Sequence, residues 1–427
     1  MNLFYFFLIF LSFPLIFRRY KESEFEDVER LLKSEFLPPV SIIVPMHNEV
    51  DEILASITSL SYLSYPHLKV IVVNDGSTDG SLACLNRAFD LRPILIENPL
   101  LFKTQPIKQI YASEKWPNLT VVDKVRGGKG DALNAGINLA DTPLIMTVDA
   151  DTSLEKEALL RMVHPFINEK GIGAQGGTLR IVRQRRGGMA RYLSGVQEVE
   201  YLRAFLYGRL GWNSLGGNLI VSGAFGLFDR SALIEVGGYV VGEVSEDLEV
   251  TISLTRFLRE KHQKKVVQFI PDSIAWTKGP ETLKALSQQR ERWHRGLIET
   301  VVRHRGVLFN PKYGCTAFIG FPYLIFAELI QPLIEVVVSL SIVGGIFLGY
   351  VDLEWLFLLM IATSGIHTLL TLLAILLEMM TFQRLGSRFS LIRLGGMSLL
   401  ENLGFRQICM VARLYGFYRY ARGCKIW

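Results

Sequence analysis

Hydrophobicity is segregated along this chain. Residues 1–17 and nearly everything from about residue 315 onward are strongly apolar, whereas residues 36–312 have the mixture of charged, small and apolar residues found in water-soluble domains. A chain built this way has to satisfy two solvents, so a single water-soluble core is excluded. The mean hydropathy of +0.27 and an apolar content of 49% are the average of two unlike regions.

Met1–Phe17 ends at Arg18-Arg19. As a helix it would span roughly 25 Å, just short of a ~30 Å hydrocarbon core. Basic residues do not precede the apolar run and no small-residue cleavage site follows it, so the expectation is an uncleaved anchor over residues 1–20. Arg18, Arg19 and Lys21 would then face the cytosol, together with the domain that follows. The next apolar stretch, about 315–350, is interrupted by Glu328, Gln331-Pro332 and Glu335. Proline in mid-helix removes a hydrogen bond, so an interfacial or partly inserted helix is expected before Pro332 and a span after it. A second span is expected over about 355–380, after the acidic turn Val351–Glu354, with Arg384, Arg388 and Arg393 marking a cytosolic loop. Basic charge at both ends of 391–417 leaves crossing and re-entrant packing both open.

Inside the water-soluble stretch, β-branched runs alternate with helical spacing. Val40–Val44, Val70–Val73, Arg92–Ile96, Thr120–Asp123 and Leu144–Val148 read as strands; Met46–Leu60 and Asp131–Leu139 read as helices. The stretch Ser77–Ser81 supplies capping residues for a further helix. Residues 97–119, with Pro99, Pro106 and Pro117, read as an inserted loop. Alternation of this kind implies a mostly parallel sheet, which binds ligands beyond the C-terminal ends of its strands.

Four signatures follow in order. In Val73-Asn74-Asp75-Gly76-Ser77, Asp75 is either a turn former or a carboxylate that accepts hydrogen bonds from a base or ribose. In Asp149-Ala150-Asp151 the carboxylates lie two apart at a strand end, on one side of an extended chain. Like charges so placed repel unless a cation intervenes, and Mg²⁺ or Mn²⁺ bridging carboxylate and diphosphate suits an all-oxygen site; a surface turn is the alternative. In Ser245-Glu246-Asp247 the motif either caps the helix that follows or presents Asp247 as a general base. In Gln289-Arg290-Glu291-Arg292-Trp293, helical spacing puts Gln289, Arg292 and Trp293 on one face, fitting either a diphosphate clamp with a flat sugar platform or an interfacial helix. Gly127-Gly128-Lys129-Gly130 adds a flexible backbone and one cation ahead of a helix N-terminus, suited to phosphate or uracil oxygens.

Other classes lose support. The glycine motif does not meet GxxxxGK[ST], which argues against a P-loop triphosphatase. The net charge of +5 carries no basic stripe interleaved with aromatics, and no nucleic-acid partner is expected. Arg183-Gln184-Arg185-Arg186, the densest basic run, is either a solvated loop or a contact for anionic lipid or substrate. The four cysteines and seven histidines lack metal-ligand or disulfide spacing.

With these motifs placed, the chain resembles the membrane-bound family 2 glycosyltransferases, the group of hyaluronan, cellulose, chitin and poly-N-acetylglucosamine synthases. The resemblance rests on Ser41-Ile42-Ile43-Val44-Pro45, Asp75-Gly76-Ser77, Gly127–Asn134, Asp149-Ala150-Asp151, Ser222-Gly223-Ala224-Phe225, Glu246-Asp247 and Gln289…Arg292-Trp293. It implies an α/β GT-A catalytic domain over 36–280, interfacial helices over 281–312 and transmembrane or interfacial helices over 313–427. By resemblance, Asp75 and Asp149 bind the nucleoside, Lys129 the uracil or phosphate region, and Asp151 the Mg²⁺ or Mn²⁺. Asp247 would be the catalytic base, Gln289 and Arg292 would hold the diphosphate, and Gly223, Ala224, Phe225 and Trp293 would meet the acceptor. The implied partners are a UDP-sugar donor, a glycan or lipid-linked acceptor, membrane lipids and an accessory export subunit. The implied location is the plasma membrane, multi-pass, with the catalytic domain cytosolic. The expected reaction is inverting sugar transfer to a growing polysaccharide, probing N-acetylglucosamine first. Single addition to a lipid carrier is the alternative, and a non-catalytic nucleotide-sensing channel subunit the second. Ser245 stands where the family more often has Thr.

Overall fold

The structure, a computed structural model, describes residues 2–24, 32, 36–96, 100–169, 171–183, 187–263, 267–382 and 388–423. Gln184, Arg185 and Arg186 of the basic run, Pro99 of the expected loop, and Arg384 lie outside the described residues. The chain forms two compact units: Lys21–Arg180 with Leu215–Lys278, and Met1–Tyr20 with Ile181–Ser214 and Gly279–Trp427.

The first unit is α/β. Its strands are β1 (Val40–Met46), β2 (Leu68–Asp75), β3 (Leu91–Ile94), β4 (Ile107–Ser113), β5 (Leu119–Lys124), β6 (Leu144–Val148), β7 (Ser153–Leu154), β8 (Ala174–Ile181), β9 (Phe225–Asp229) and β10 (Val267–Thr277). They form one sheet in the order β3-β4-β5-β2-β1-β6-β9-β8-β10-β7. The four strands β5-β2-β1-β6 run parallel. They are near-continuous Val/Ile/Leu runs because both faces are buried; Val40, Ile42, Ile43 and Val44 of β1 are fully buried. Each such side chain contributes about 1.5–3 kcal/mol relative to exposure.

The parallel character expected from the sequence holds for this centre, but the sheet as a whole is mixed. β3 pairs antiparallel with β4, β4 with β5, β6 and β8 with β9, and β10 with β7. Within the expected loop 97–119, residues Ile107–Ser113 are the strand β4. Only Ile110 and Ser113 of it are buried, so its apolar alternation is weak and the flanking prolines dominate the reading. The helix expected over 46–60 begins only at Ile53, because β1 runs through Met46 and Asn48 takes a left-handed φ of 59°. The helix expected over 131–139 starts two residues earlier, at Lys129.

The second unit is helical. Asn2–Glu24 forms one helix containing Pro14, with Leu8, Ser12 and Ile16 buried along one face and Phe6, Phe10 and Phe13 exposed on the other. Phe4 stacks on Tyr323 at 4.9 Å and meets Trp212 at 5.7 Å. Helix Met189–Arg203 buries Leu193, Val196, Val199 and Leu202 among Leu286, Ile375, Leu394 and Phe405. Residues 181–214 therefore belong to the helical unit, which corrects the expectation that 36–280 folds as one continuous domain.

Leu353–Met380 is long and apolar enough to cross a membrane, with hydropathy 2.0 over its most apolar window. Thr316–Leu329 and Gln331–Phe347 pass the same test as a pair, bent by 44°. The break falls at Ile330, immediately before Gln331-Pro332, where the sequence places it. By length and composition this gives one or two candidate spans among the described residues. Helix Leu283–Arg303 packs against Arg406–Ala421, with His294 edge-on to Phe417 at 4.7 Å.

Candidate active site

The parallel strands β1, β2, β5 and β6 all end on one side of the α/β unit, and the chain emerging from each carries a charged or flexible residue. β1 is followed by Glu49, β2 closes with Asp75, β5 with Lys124 ahead of Gly127-Gly128, and β6 is followed by Asp149. This is where an open α/β sheet binds its ligands.

Asp75 is 4% exposed, and three protein donors already hold its carboxylate. Lys124 Nζ (2.6 Å) and Gly127 N (2.8 Å) donate to Oδ1, and Gly128 N (2.7 Å) donates to Oδ2. Lys124 is fully buried and also pairs with Asp131 Oδ1 at 2.5 Å. This geometry gives Asp75 a structural task beside the nucleoside contact expected from the resemblance. It is a clamp that fixes the glycine loop, and Lys124 is the counter-charge that lets two carboxylates be buried together. Neither Lys124 nor Asp131 was singled out from the sequence; the signal available was a lysine at the last position of a buried strand.

The loops after β1 and β2 are latched together. Asn48 N donates to Ser77 Oγ (3.0 Å), and Thr78 N donates to Asn48 Oδ1 (2.8 Å). Glu49 N donates to Ser81 Oγ (2.9 Å), and Val50 N donates to Asp79 Oδ2 (3.2 Å). This latch carries Glu49 to the acidic pair. Burial, with the charges of Asp151 and Asp149, raises the Glu49 carboxyl to about 7. Glu49 was missed because its segment read as the start of a helix.

Lys129, Asp149, Gly223, Ala224, Glu246 and Asp247 come together. Lys129 Nζ lies 2.6 Å from Asp149 Oδ1 and 3.4 Å from Glu246 Oε1. Burial works against the Lys129 ammonium, but Asp149 and Glu246 outweigh it and hold it charged. The Asp247 carboxylate accepts from Gly223 N (3.1 Å) and Leu248 N (2.8 Å), which aims it from the first turn of helix Glu246–Glu260. Asp149 N donates to Ala224 O at 3.4 Å. Space at Gly223 is tight, since a Cβ there would stand 3.0 Å from Lys129 Nζ and 3.3 Å from Asp247 Cβ. Two expectations change here. Ser245 precedes the helix without a side-chain capping bond, because the Asp247 carboxylate takes the first-turn amide. Phe225 is fully buried as the first residue of β9, so its ring packs in the core and does not meet an acceptor.

Asp151 accepts from Thr152 Oγ1 (3.2 Å) and Thr277 Oγ1 (3.3 Å). Burial and the neighbouring Asp149 raise its carboxyl to about 6. Among the described residues no three His, Cys, Asp or Glu side chains are grouped to hold a metal by themselves. A hard divalent ion fits Asp151 nonetheless. Burial and Asp149 disfavour the bare Asp151 carboxylate, a cation would relieve that, and a substrate diphosphate would carry the further oxygen ligands such an ion needs.

In the helical unit, Leu283–Arg303 divides its signature between two tasks. Arg290 pairs with Glu200 through both guanidinium nitrogens (2.8 and 2.6 Å) and lies 4.6 Å over the Trp293 ring. Glu291 pairs with Arg295 (3.0 Å) and Arg419 (3.3 Å). Gln289 Oε1 is buried with no hydrogen-bond partner among the described residues, Arg292 is half-buried, and Trp293 is 44% exposed. The intervening residues hold the helix in place, and the i, i+3, i+4 face retains unused polar and aromatic capacity.

Comparison with known proteins agrees with this geometry. Residues 41–100 match Glycosyl transferase family 2, and residues 108–296 match Glycosyltransferase like family 2. The poly-beta-1,6-N-acetyl-D-glucosamine synthase of Staphylococcus epidermidis is 28% identical over 286 residues, 66% of this chain and 60% of that protein. The probable glycosyltransferase YdaM of Bacillus subtilis is 29% identical over 278 residues, 65% of this chain and 59% of that protein. The chain thus spans about 60% of the length of these relatives. The mannosyltransferase PcManGT of Pyrobaculum calidifontis, solved with GDP-Man and Mn²⁺, has 19% identity and a TM-score of 0.54 over 94% of this chain and 99% of that one. That likeness shows the shared GT-A fold. Both family matches fall on the strand ends and helices that build the site, and they place this chain among the family 2 glycosyltransferases.

Proposed function

We propose that the protein transfers a sugar from a UDP-activated donor to a growing polysaccharide at a membrane, with inversion at the anomeric carbon. The observation that carries this reading is the setting of Asp247. Its carboxylate is held by two backbone amides in the first turn of a helix, beside Gly223 and the Lys129–Asp149 pair.

In one displacement, Asp247 takes the proton of the acceptor hydroxyl as that oxygen bonds to the anomeric carbon. The bond from that carbon to the donor phosphate breaks, and its electron pair leaves with UDP. Lys129 and Asp149 orient the donor, and Asp75 acts through the glycine loop it clamps. A divalent ion bound at Asp151 would neutralise charge on the departing diphosphate. Gln289 and Arg292 are assigned to the diphosphate and Trp293 to the acceptor sugar. What supports this is the unused hydrogen-bonding capacity of Gln289 and the exposed indole of Trp293.

Chain extension is supported by the relatedness to poly-beta-1,6-N-acetyl-D-glucosamine synthases, which also makes UDP-N-acetylglucosamine the first donor to test. A multi-pass position with the α/β unit in the cytosol is supported by Leu353–Met380, by the bent pair, and by Arg18 and Arg19 after the first apolar run. Anionic lipid and an export subunit complete the proposed partners.

The test is UDP release by the purified chain in detergent with UDP-N-acetylglucosamine, UDP-glucose, UDP-galactose and UDP-glucuronate in turn. One donor is expected to be consumed well above the others in the presence of Mg²⁺ or Mn²⁺. Release from none of them overturns the reading.

A further inference from the structure

Lys129 is held from two sides. Asp149, just after β6, lies 2.6 Å from its Nζ, and Glu246, at the start of helix Glu246–Glu260, lies 3.4 Å away. Glu246 is 5% exposed, and an ionised carboxylate that deep needs a partner. Lys129 is the cation that supplies it. The helix N-terminus adds a smaller favourable field. Gly223 lies close on the third side, where a Cβ would stand 3.0 Å from Lys129 Nζ.

We propose that Glu246 is a positioning residue for sugar transfer. It anchors the Lys129 ammonium between Asp149 and Asp247, so that the donor can engage Asp149 and the ammonium without dragging Lys129 out of place. The inference rests on the transferase reading above. Its physical content is a competition. With two anchors, Lys129 is shared and Asp149 is only partly neutralised. With Glu246 removed, Asp149 is the sole strong partner of Lys129, and an arriving donor must break a complete ion pair. Glu246 therefore acts on donor binding more than on the proton-transfer step, which belongs to its neighbour Asp247.

The experiment is a double-mutant cycle on the full chain in detergent, with UDP-N-acetylglucosamine as the probe and both kcat and KM recorded. Glu246→Gln should raise donor KM by about tenfold while kcat falls by no more than about threefold. Lys129→Met should be at least as damaging, and the double variant no worse than Lys129→Met alone, because Glu246 works through Lys129. Glu246→Asp, which keeps the charge but shortens the reach, should recover part of the loss. A donor KM for Glu246→Gln within about twofold of wild type overturns the proposal, as does a full multiplication of the two single effects in the double variant.

A second readout does not depend on turnover. Modification of Lys129 by pyridoxal phosphate and borohydride, followed by peptide mass spectrometry, should be faster in Glu246→Gln, since losing a carboxylate neighbour favours the neutral amine. An unchanged rate shows that Glu246 does not hold Lys129. Wild-type protein that releases no UDP from any donor contradicts the transferase reading instead, and the modification rate still decides the anchor.

Discussion

The two units handle buried charge in opposite ways. In the helical unit, buried carboxylates are matched by guanidinium groups: Arg290 with Glu200, Arg393 with Glu198, Arg203 with Glu401, and both Arg295 and Arg419 with Glu291. In the α/β unit, Lys124 is shared by Asp75 and Asp131, and Lys129 by Asp149 and Glu246, while Glu49 feels the charges of Asp151 and Asp149, and Asp151 that of Asp149. Matched pairs fix a structure. Under-matched carboxylates at strand ends raise one another's proton affinity and attract what they lack, a cation or a proton in transit. The same residue types thus serve architecture in one unit and chemistry in the other, and the local count of opposite charges distinguishes the two uses.

The largest test of this contrast is Asp247→Asn. The amide keeps the shape of the side chain but removes its basicity, so transfer should fall by about 10³-fold while UDP binding, read by calorimetry, stays near wild type. Arg292→Ala should lower kcat by about 10²-fold with no change in thermal melting, the mark of a residue outside the pairing network. Arg290→Ala, two positions away, should do the reverse. It leaves Glu200 without its partner and should destabilise the helical unit by about 3 kcal/mol in a denaturant titration, with catalysis lost only as folded protein is lost. If both arginines behaved alike, the division of tasks along helix Leu283–Arg303 would collapse.

The smallest effect is a pH dependence. The folded protein holds the Glu49 carboxyl up at about 7, above its ordinary 4.5, because burial and the charges of Asp151 and Asp149 disfavour the ionised form. The folded state therefore binds more protons than the unfolded state between about pH 4.5 and 7, and stability falls as pH rises through that window. Glu49→Gln should raise the melting temperature by about 2 °C at pH 8 and leave it unchanged at pH 4.

Much of the α/β centre is legible in the sequence because its signal is local. Val70–Val73 leading to Asn74-Asp75, and Leu144–Val148 leading to Asp149, are short β-branched or apolar runs that end in carboxylates, and each lies where the run places it. The helix over 131–139 and the long apolar helix Leu353–Met380 follow from periodicity and apolar length in the same way. What the sequence hides is pairing between distant residues. Nothing near Asp75 announces that Lys124 and two backbone amides will take its carboxylate, and nothing near residues 189–203 announces that this helix will be tied to 290, 393 and 401. Strand β4 is hidden for another reason: only Ile110 and Ser113 of it are buried, so it lacks the apolar run that reveals the central strands. Glu246 is noticed only as part of a motif at a helix start, and Glu49 is overlooked because its segment reads as helix.

The most direct measurement is the size distribution of the product made by the purified full chain from radiolabelled UDP-N-acetylglucosamine with Mn²⁺. A ladder or long polymer, absent with Asp247→Asn, is the predicted result. A single lipid-linked sugar would contradict chain extension, and no transferred label from this or any other UDP-sugar would contradict the account of the site itself.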